Sequence, residues 1–175
     1  MNSEKIRRLV KKCKVLKPTF IGVYARDNLP TRRLSELKSW ALIINLDTIN
    51  QPGSHWVAIY IPQKKSYMEY FDSTGRPPYH QTIIHFLKQR KYYLYNDKVL
   101  QSVYTTTCGQ YCLFYLCSRA HGIDYIDILN LFKINDTLYN DRLVNRVVGD
   151  IFKTKVKLIN HDFLKSMLQR LILNK

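Results

Sequence analysis

Along the first residues of the chain, apolar side chains fall at Ile6, Leu9, Val10 and Cys13, the spacing of one helical face. Lys5, Arg7, Arg8, Lys11, Lys12 and Lys14 occupy the rest of that predicted helix, which Ser3 can start and Pro18 closes. After Pro30 the stretch TRRLSELKSW predicts a second short helix. The pattern then changes to β-type runs. WALIINLDTI, residues 40–49, reads as a buried strand ended by the turn Asn50-Gln51-Pro52-Gly53. HWVAIYIP and SYMEYFDS read as two strands of a hairpin around the polar turn Gln63-Lys64-Lys65. DSTGRPP breaks the pattern, QTIIHFLKQRKYY predicts a helix, and KVLQSVY alternates like a strand. Beyond it the chain is helical in character: Cys108 to Ala120, IDILNLF, DRLVNRVVGDIF and DFLKSMLQRLIL. These elements predict an α+β fold, a small mixed, antiparallel-leaning sheet with helices packed around it. With no repeat, linker or low-complexity tract, residues 1–175 read as a single domain.

Composition narrows the function classes. No apolar run approaches the ~18 residues of a membrane span, and the charged N-terminus lacks the apolar core of a secretory signal. The expectation is a non-secreted protein of cytosol, nucleus or virus particle. Lysine and arginine number 28 against 13 acidic residues, a net charge of +15, which points to a polyanionic partner. Four cysteines (Cys13, Cys108, Cys112, Cys117) read as free thiols in such a compartment. Their C-x3-C-x4-C cluster lacks paired knuckles, so no metal site is expected.

Three positions suggest nucleophilic chemistry. A hairpin turn centred between Gln63 and Lys64 would set His55 opposite Asp72, with Cβ atoms ~5 Å apart. A carboxylate so placed fixes the tautomer of an imidazole and stabilises its charged form, as in a catalytic triad. Thr105, Thr106 and Thr107 are N-cap candidates for an almost wholly apolar helix that begins at Cys108. A thiol in the first turn of a helix is biased toward thiolate, whereas Cys112 and Cys117, deeper in it, suit packing. Gly109 leaves room for substrate backbone. Gln101, seven residues before Cys108 and at the end of the strand predicted there, could donate its amide to an oxyanion together with the Cys108 N–H.

The order His55-Trp56, Asp72, Gln101, Cys108-Gly109 resembles the adenovirus-type maturation cysteine proteases, the adenain family, with relatives in large DNA transposons and other DNA viruses. The same order occurs in the ubiquitin-like-protein-specific proteases, which are similar in fold. GSHWVAIYI, YFDSTG and CGQYCLFYL carry the likeness, which covers roughly residues 40–122; the Gln101-to-Cys108 interval agrees with adenain. The resemblance implies a fold whose central helix bears the nucleophilic cysteine, and a Cys-His-Asp endopeptidase that cleaves viral precursor proteins at Gly-containing sites during particle maturation. On it Cys108 attacks, His55 carries the proton, Asp72 orients His55, Gln101 and Cys108 hold the oxyanion, and Trp56 and Gly109 line a narrow substrate cleft. It also implies sequence-independent binding of double-stranded DNA as a polyanionic cofactor, which the charge fits. Candidate DNA contacts are Lys11, Lys12 and Lys14 in the first helix, and Arg32 and Arg33. Lys88, Arg90 and Lys91 form a second basic group, and Lys153, Lys155 and Lys157 a third. No cysteine lies between Asp72 and Gln101 to carry the disulfide-linked activating peptide of adenain, which leaves a non-covalent peptide or none. The expected working state is a monomer in the virion and in the host nucleus or cytoplasm.

Two other functions are consistent with the residues. One is an isopeptidase that removes ubiquitin or SUMO-type modifiers; the other is a non-catalytic DNA-binding packaging protein whose basic surface is its function.

Overall fold

The apolar runs assemble into one sheet in which strands follow their order in the sequence, β1-β2-β3-β4-β5. A computed structural model describes residues 1–31, 34–153 and 166. β1 (Phe20–Ala25) lies parallel to β2 (Trp40–Asn45), and β3 (Trp56–Ile61) runs antiparallel to β2 and to β4 (Tyr67–Phe71). β5 (Tyr92–Tyr95) returns parallel to β4. The sheet is therefore mixed. The C-terminal ends of β1, β2, β4 and β5 meet the start of β3 at one end of the sheet, and the loops that bear His55 and Asp72 gather there.

The central strands are buried on both faces, which explains why their sequences run apolar without alternation. Ala41, Ile43, Ala58, Tyr60 and Phe71 belong to one core, shared with α1 (Ser3–Lys12), α3 (Cys108–Ala120), α4 (Tyr125–Asn130) and α5 (Thr137–Lys153). Leu42, Ile44, Val57, Ile59 and Tyr70 belong to the other, where Ile83, Phe86 and Leu87 of α2 (Gln81–Leu87) cover them. Two contacts fix α3 against β4. Phe71 stacks on Tyr115 with centroids 4.4 Å apart and planes 2° from parallel. Buried Glu69 receives Arg119 through Nε at 2.8 Å and Nη2 at 2.9 Å. A planar guanidinium held at two atoms sets the helix position more firmly than a point charge would.

Several expectations need correction. TRRLSELKSW forms no helix among its described residues; Ser35 accepts from Leu37 N at its hydroxyl and from Trp40 Nε1 at its carbonyl, so local bonds turn the chain instead. QTIIHFLKQRKYY divides: the helix stops at Leu87, and its two tyrosines begin β5, where Tyr92 and Tyr93 pair with Tyr67 and Met68. KVLQSVY is a loop rather than a strand, because Leu100 N and Gln101 N both donate to Ser73 O at 2.9 Å. Asn2, not Ser3, caps α1 by accepting from Lys5 N. DFLKSMLQRLIL, apart from residue 166, lies outside the described residues.

Candidate active site

The hairpin register differs by two residues from the one the turn suggested. Ala58 pairs with Phe71, Ile59 with Tyr70 and Tyr60 with Glu69, so the turn centres between Lys64 and Lys65, and Lys64 adopts φ 55°. A shift of two leaves every side chain on its original face. His55 and Asp72, just outside the paired residues, are thus diagonal neighbours rather than opposites, and the imidazole spans the gap. His55 Nε2 stands 2.7 Å from Asp72 Oδ1. The same oxygen accepts from Thr74 N and Thr74 Oγ1, both at 2.8 Å. Asp72 is fully buried, and Asn96 holds its backbone from the end of β5. Asn96 Oδ1 accepts from Asp72 N at 2.9 Å and Nδ2 donates to Asp72 O at 2.7 Å. Sequence reading missed Asn96; its one signal is an amide directly after the YYLY run.

With Nε2 engaged by Asp72, the ring has Nδ1 left for Cys108, the first residue of α3, whose thiol is close enough for the two groups to shift each other's pKa. Burial works against a charged imidazole, but Asp72 and then Cys108 outweigh it and raise the His55 pKa to about 9. Burial likewise pushes the Cys108 thiol up. The His55 hydrogen bond, the Trp56 backbone, the His55 charge and the Gly109 backbone reverse that, and the net shift is downward. Both directions favour a thiolate–imidazolium pair. The other thiols of the helix differ: burial pushes Cys112 well up, and Cys117 is raised first by its bond to Cys13, whose Sγ lies 3.4 Å away. All four cysteines are free.

Gln101 faces the same cleft as His55 and Cys108. Ser73 Oγ donates to its Oε1 at 2.7 Å, and its Nε2 donates to Thr105 O at 2.8 Å, which orients the amide and leaves one N–H uncommitted. The threonines before Cys108 do not cap α3 as expected. Thr107 occupies the N-cap position without a side-chain cap bond, because a buried carboxylate on α5 claims the hydroxyls. Asp141 accepts from Thr105 Oγ1 at 2.8 Å, Thr107 Oγ1 at 3.1 Å, Tyr111 OH at 3.0 Å and Ser102 N at 3.3 Å. It anchors the loop that carries Gln101 into Cys108. No short-range pattern could have marked it, since its partners lie 30 to 39 residues away.

The cleft, about 460 Å³, opens between Ser54, Thr74 and Arg76 on one side and Val99, Val103 and Thr106 on the other. Trp56 and Gly109, expected to line it, do not. Trp56 is buried and its Nε1 donates to Met1 O at 3.0 Å, while a Cβ placed on Gly109 would lie 3.2 Å from Met1 Cβ and Sδ. The space beside Gly109 is thus filled by Met1.

Of the basic positions, Lys11, Lys12, Lys14, Lys88 and Lys91 are exposed. Arg90 is not: it is buried, donates to Leu34 O at 3.3 Å and pairs with Glu36 at 3.5 Å, so it serves the fold rather than a surface. Arg32, Arg33, Lys155 and Lys157 lie outside the described residues, and Lys153 ends α5. Among the described residues no cluster of His, Cys, Asp or Glu could hold a metal, and no helix is long and apolar enough to cross a membrane.

This geometry can be set beside known proteins. Cysteine protease S273R of African swine fever virus is 27% identical over 118 residues, 59% of this chain and 42% of that protein, so the chain spans less than half the length of this curated relative. A crystal structure of the African swine fever virus pS273R protease superposes with a TM-score of 0.52 at 18% identity, covering 72% of this chain and 59% of the other. The SUMO protease Ulp1, with its catalytic cysteine oxidised to a sulfonic acid, gives a TM-score of 0.49 at 16% identity over 85% of this chain and 77% of the other. Residues 11–125 match the C-terminal catalytic domain of the Ulp1 protease family. That match takes in the hairpin with His55 and Asp72 and the helix that begins at Cys108, and the chain belongs to the Ulp1 protease family.

Proposed function

We propose that this chain is a cysteine endopeptidase in which Cys108 is the nucleophile, His55 the acid and base, Asp72 the residue that orients His55, and Gln101 an oxyanion donor. The observation that carries the reading is His55 held between Asp72 Oδ1 and the Cys108 thiol, with the imidazole pKa raised and the thiol pKa lowered. In the first step the Cys108 thiolate attacks the scissile carbonyl, and the negative oxygen is held by the Gln101 amide and the backbone N–H of Cys108. Imidazolium His55 then donates its proton to the departing amine, leaving a thioester. In the second step neutral His55 takes a proton from water, which attacks the thioester, and the acid is released with thiolate and imidazolium restored. Asp72 keeps the ring oriented throughout, and Thr74 and Asn96 hold Asp72 in place.

The proposed substrates are viral, or virus-like-element, structural precursors cut at Gly-containing sites. The relation to an African swine fever virus cysteine protease supports a viral setting. The +15 charge supports sequence-independent DNA binding, with the exposed lysines of α1 and of the α2–β5 junction as contacts. The deciding experiment is cleavage of Gly-containing precursor peptides by wild type and Cys108→Ala, with and without DNA. Cleavage lost in Cys108→Ala is the expected result; cleavage retained there overturns the nucleophile assignment. The family match also supports a second reading, removal of a ubiquitin-like modifier by the same chemistry. Modifier-derived electrophilic probes compared with precursor peptides separate the two.

A further inference from the structure

The catalytic cleft continues past His55 into a second cavity of about 400 Å³, and the two share Ser54, His55, Thr74 and Arg76. The second cavity touches His55 but not Cys108. The leaving amine must collect its proton from His55, so the residue after the scissile bond lies against the imidazole, which this cavity adjoins. Its wall holds two guanidinium groups. Arg76 is exposed and Arg26 half-buried, and neither makes a salt bridge among the described residues. Arg26 Nη1 stands 2.8 Å from His80 Nδ1 and 3.3 Å from its Nε2, which ties the guanidinium to the cavity wall and requires an imidazole with a lone pair toward it. Burial and then the Arg26 charge lower the His80 pKa, which keeps that acceptor neutral. The one carboxylate in the wall, Asp47, already accepts from Ser54 Oγ at 3.1 Å through Oδ1 and shares the wall with the two guanidinium groups.

We infer that Arg76 and Arg26 form a subsite for an acidic side chain of the substrate, Asp or Glu, within the first few residues after the scissile bond. A planar guanidinium presents paired donors that match a carboxylate, and a partly enclosed wall screens the attraction less than open surface does. Arg26, held by His80, is pre-organised for the contact, while Arg76 stands between the two cavities and closes over the bound carboxylate. The chain thereby selects substrates by charge on the leaving side of the bond. This inference rests on the protease reading above.

A proteome-derived peptide library digested by wild type, with Cys108→Ala as the blank, identifies the bonds cut. Matched peptides carrying Asp or Asn at the position of interest then give kcat/KM ratios for wild type, Arg76→Gln, Arg26→Gln and Arg76→Glu. Asp and Glu are expected to be enriched after the cut bond, with the Asp peptide favoured about tenfold over its Asn twin. That ratio should fall toward one in Arg76→Gln and in Arg26→Gln, and Arg76→Glu should favour a Lys peptide over both. Each ratio is internal to one variant, so partial misfolding does not mimic the result. A wild-type ratio near one, or a ratio untouched by both glutamine variants, overturns the subsite while the protease reading stands. No cleavage above the Cys108→Ala blank overturns the protease reading and the subsite with it.

Discussion

His55 and Asp72 meet across a hairpin in which neither is the other's strand partner. The paired residues end at Ala58 and Phe71, and the 2.7 Å contact forms diagonally beyond them. A single-residue slip would have sent one of the two to the opposite face. The pairing therefore depends on the parity of the register and on the Asn96 clamp, and both can be tested.

Asp72→Asn should raise the pH at which Cys108 becomes reactive. The raised His55 and lowered Cys108 values sustain each other, and Asp72 supplies the largest favourable contribution to the imidazolium. Alkylation of Cys108 by a small electrophile, followed against pH in a background lacking the other cysteines, should persist in wild type into mildly acid solution. In Asp72→Asn the inflection should move upward; an unchanged profile would argue against coupling of thiol and imidazole through Asp72.

The same pair makes a signed prediction for stability. His55 holds its proton to about pH 9 in the folded chain against an ordinary 6.5. A raised folded value contributes stability that is complete below about 6.5 and is lost as pH rises through about 9. The difference in unfolding free energy between wild type and His55→Ala should shrink from about pH 6 to about pH 10 in urea titrations.

Gln101→Ala should lower kcat by roughly 10²-fold with a smaller change in KM, because the amide is needed chiefly when charge develops on the oxygen. Ser73→Ala should produce a milder loss, since Ser73 only orients the Gln101 carbonyl. Equal rises in KM with kcat preserved would place Gln101 in ground-state binding instead.

Asp141→Ala removes the acceptor of three hydroxyls and one backbone N–H and should cost about 3 kcal/mol or more. Activity at a temperature where the variant remains folded should also fall, because the loop from Gln101 to Cys108 loses its anchor. Thermal unfolding combined with thiol labelling distinguishes the two effects.

Arg90→Ala should behave as a fold variant. Its bonds to Leu34 and Glu36 predict a lower Tm and DNA affinity close to that of wild type. Joint replacement of Lys11, Lys12 and Lys14 by Glu should weaken DNA binding and flatten its salt dependence. Fluorescence anisotropy with labelled duplex DNA at several salt concentrations reads both.

The parts of the fold legible in the sequence were those set by local patterning: the hairpin strands, α1, and the apolar helix that begins at Cys108. What failed had a physical cause in each case. Tyr92 to Tyr95 became a strand because β4 offered a free edge, a long-range fact that the preceding helical pattern hid. The loop before Cys108 looked like a strand because alternation does not reveal that its amides turn back to Ser73. Trp56 and Gly109 were expected beside the substrate, because no sequence rule places Met1 against Trp56, 55 positions away. Asn96 and Asp141, which hold the site together, were invisible because a lone amide or carboxylate carries no pattern until its partners are known.

The anchoring of the Cys108 loop by Asp141 also orders events in the life of the polypeptide. By residue 108 a growing chain already has the thiol, the imidazole and the carboxylate, yet the loop that aims the thiol is fastened only when α5 arrives. The geometry around Cys108 is therefore incomplete in any chain that stops short of residue 141, however well the hairpin with His55 and Asp72 has formed.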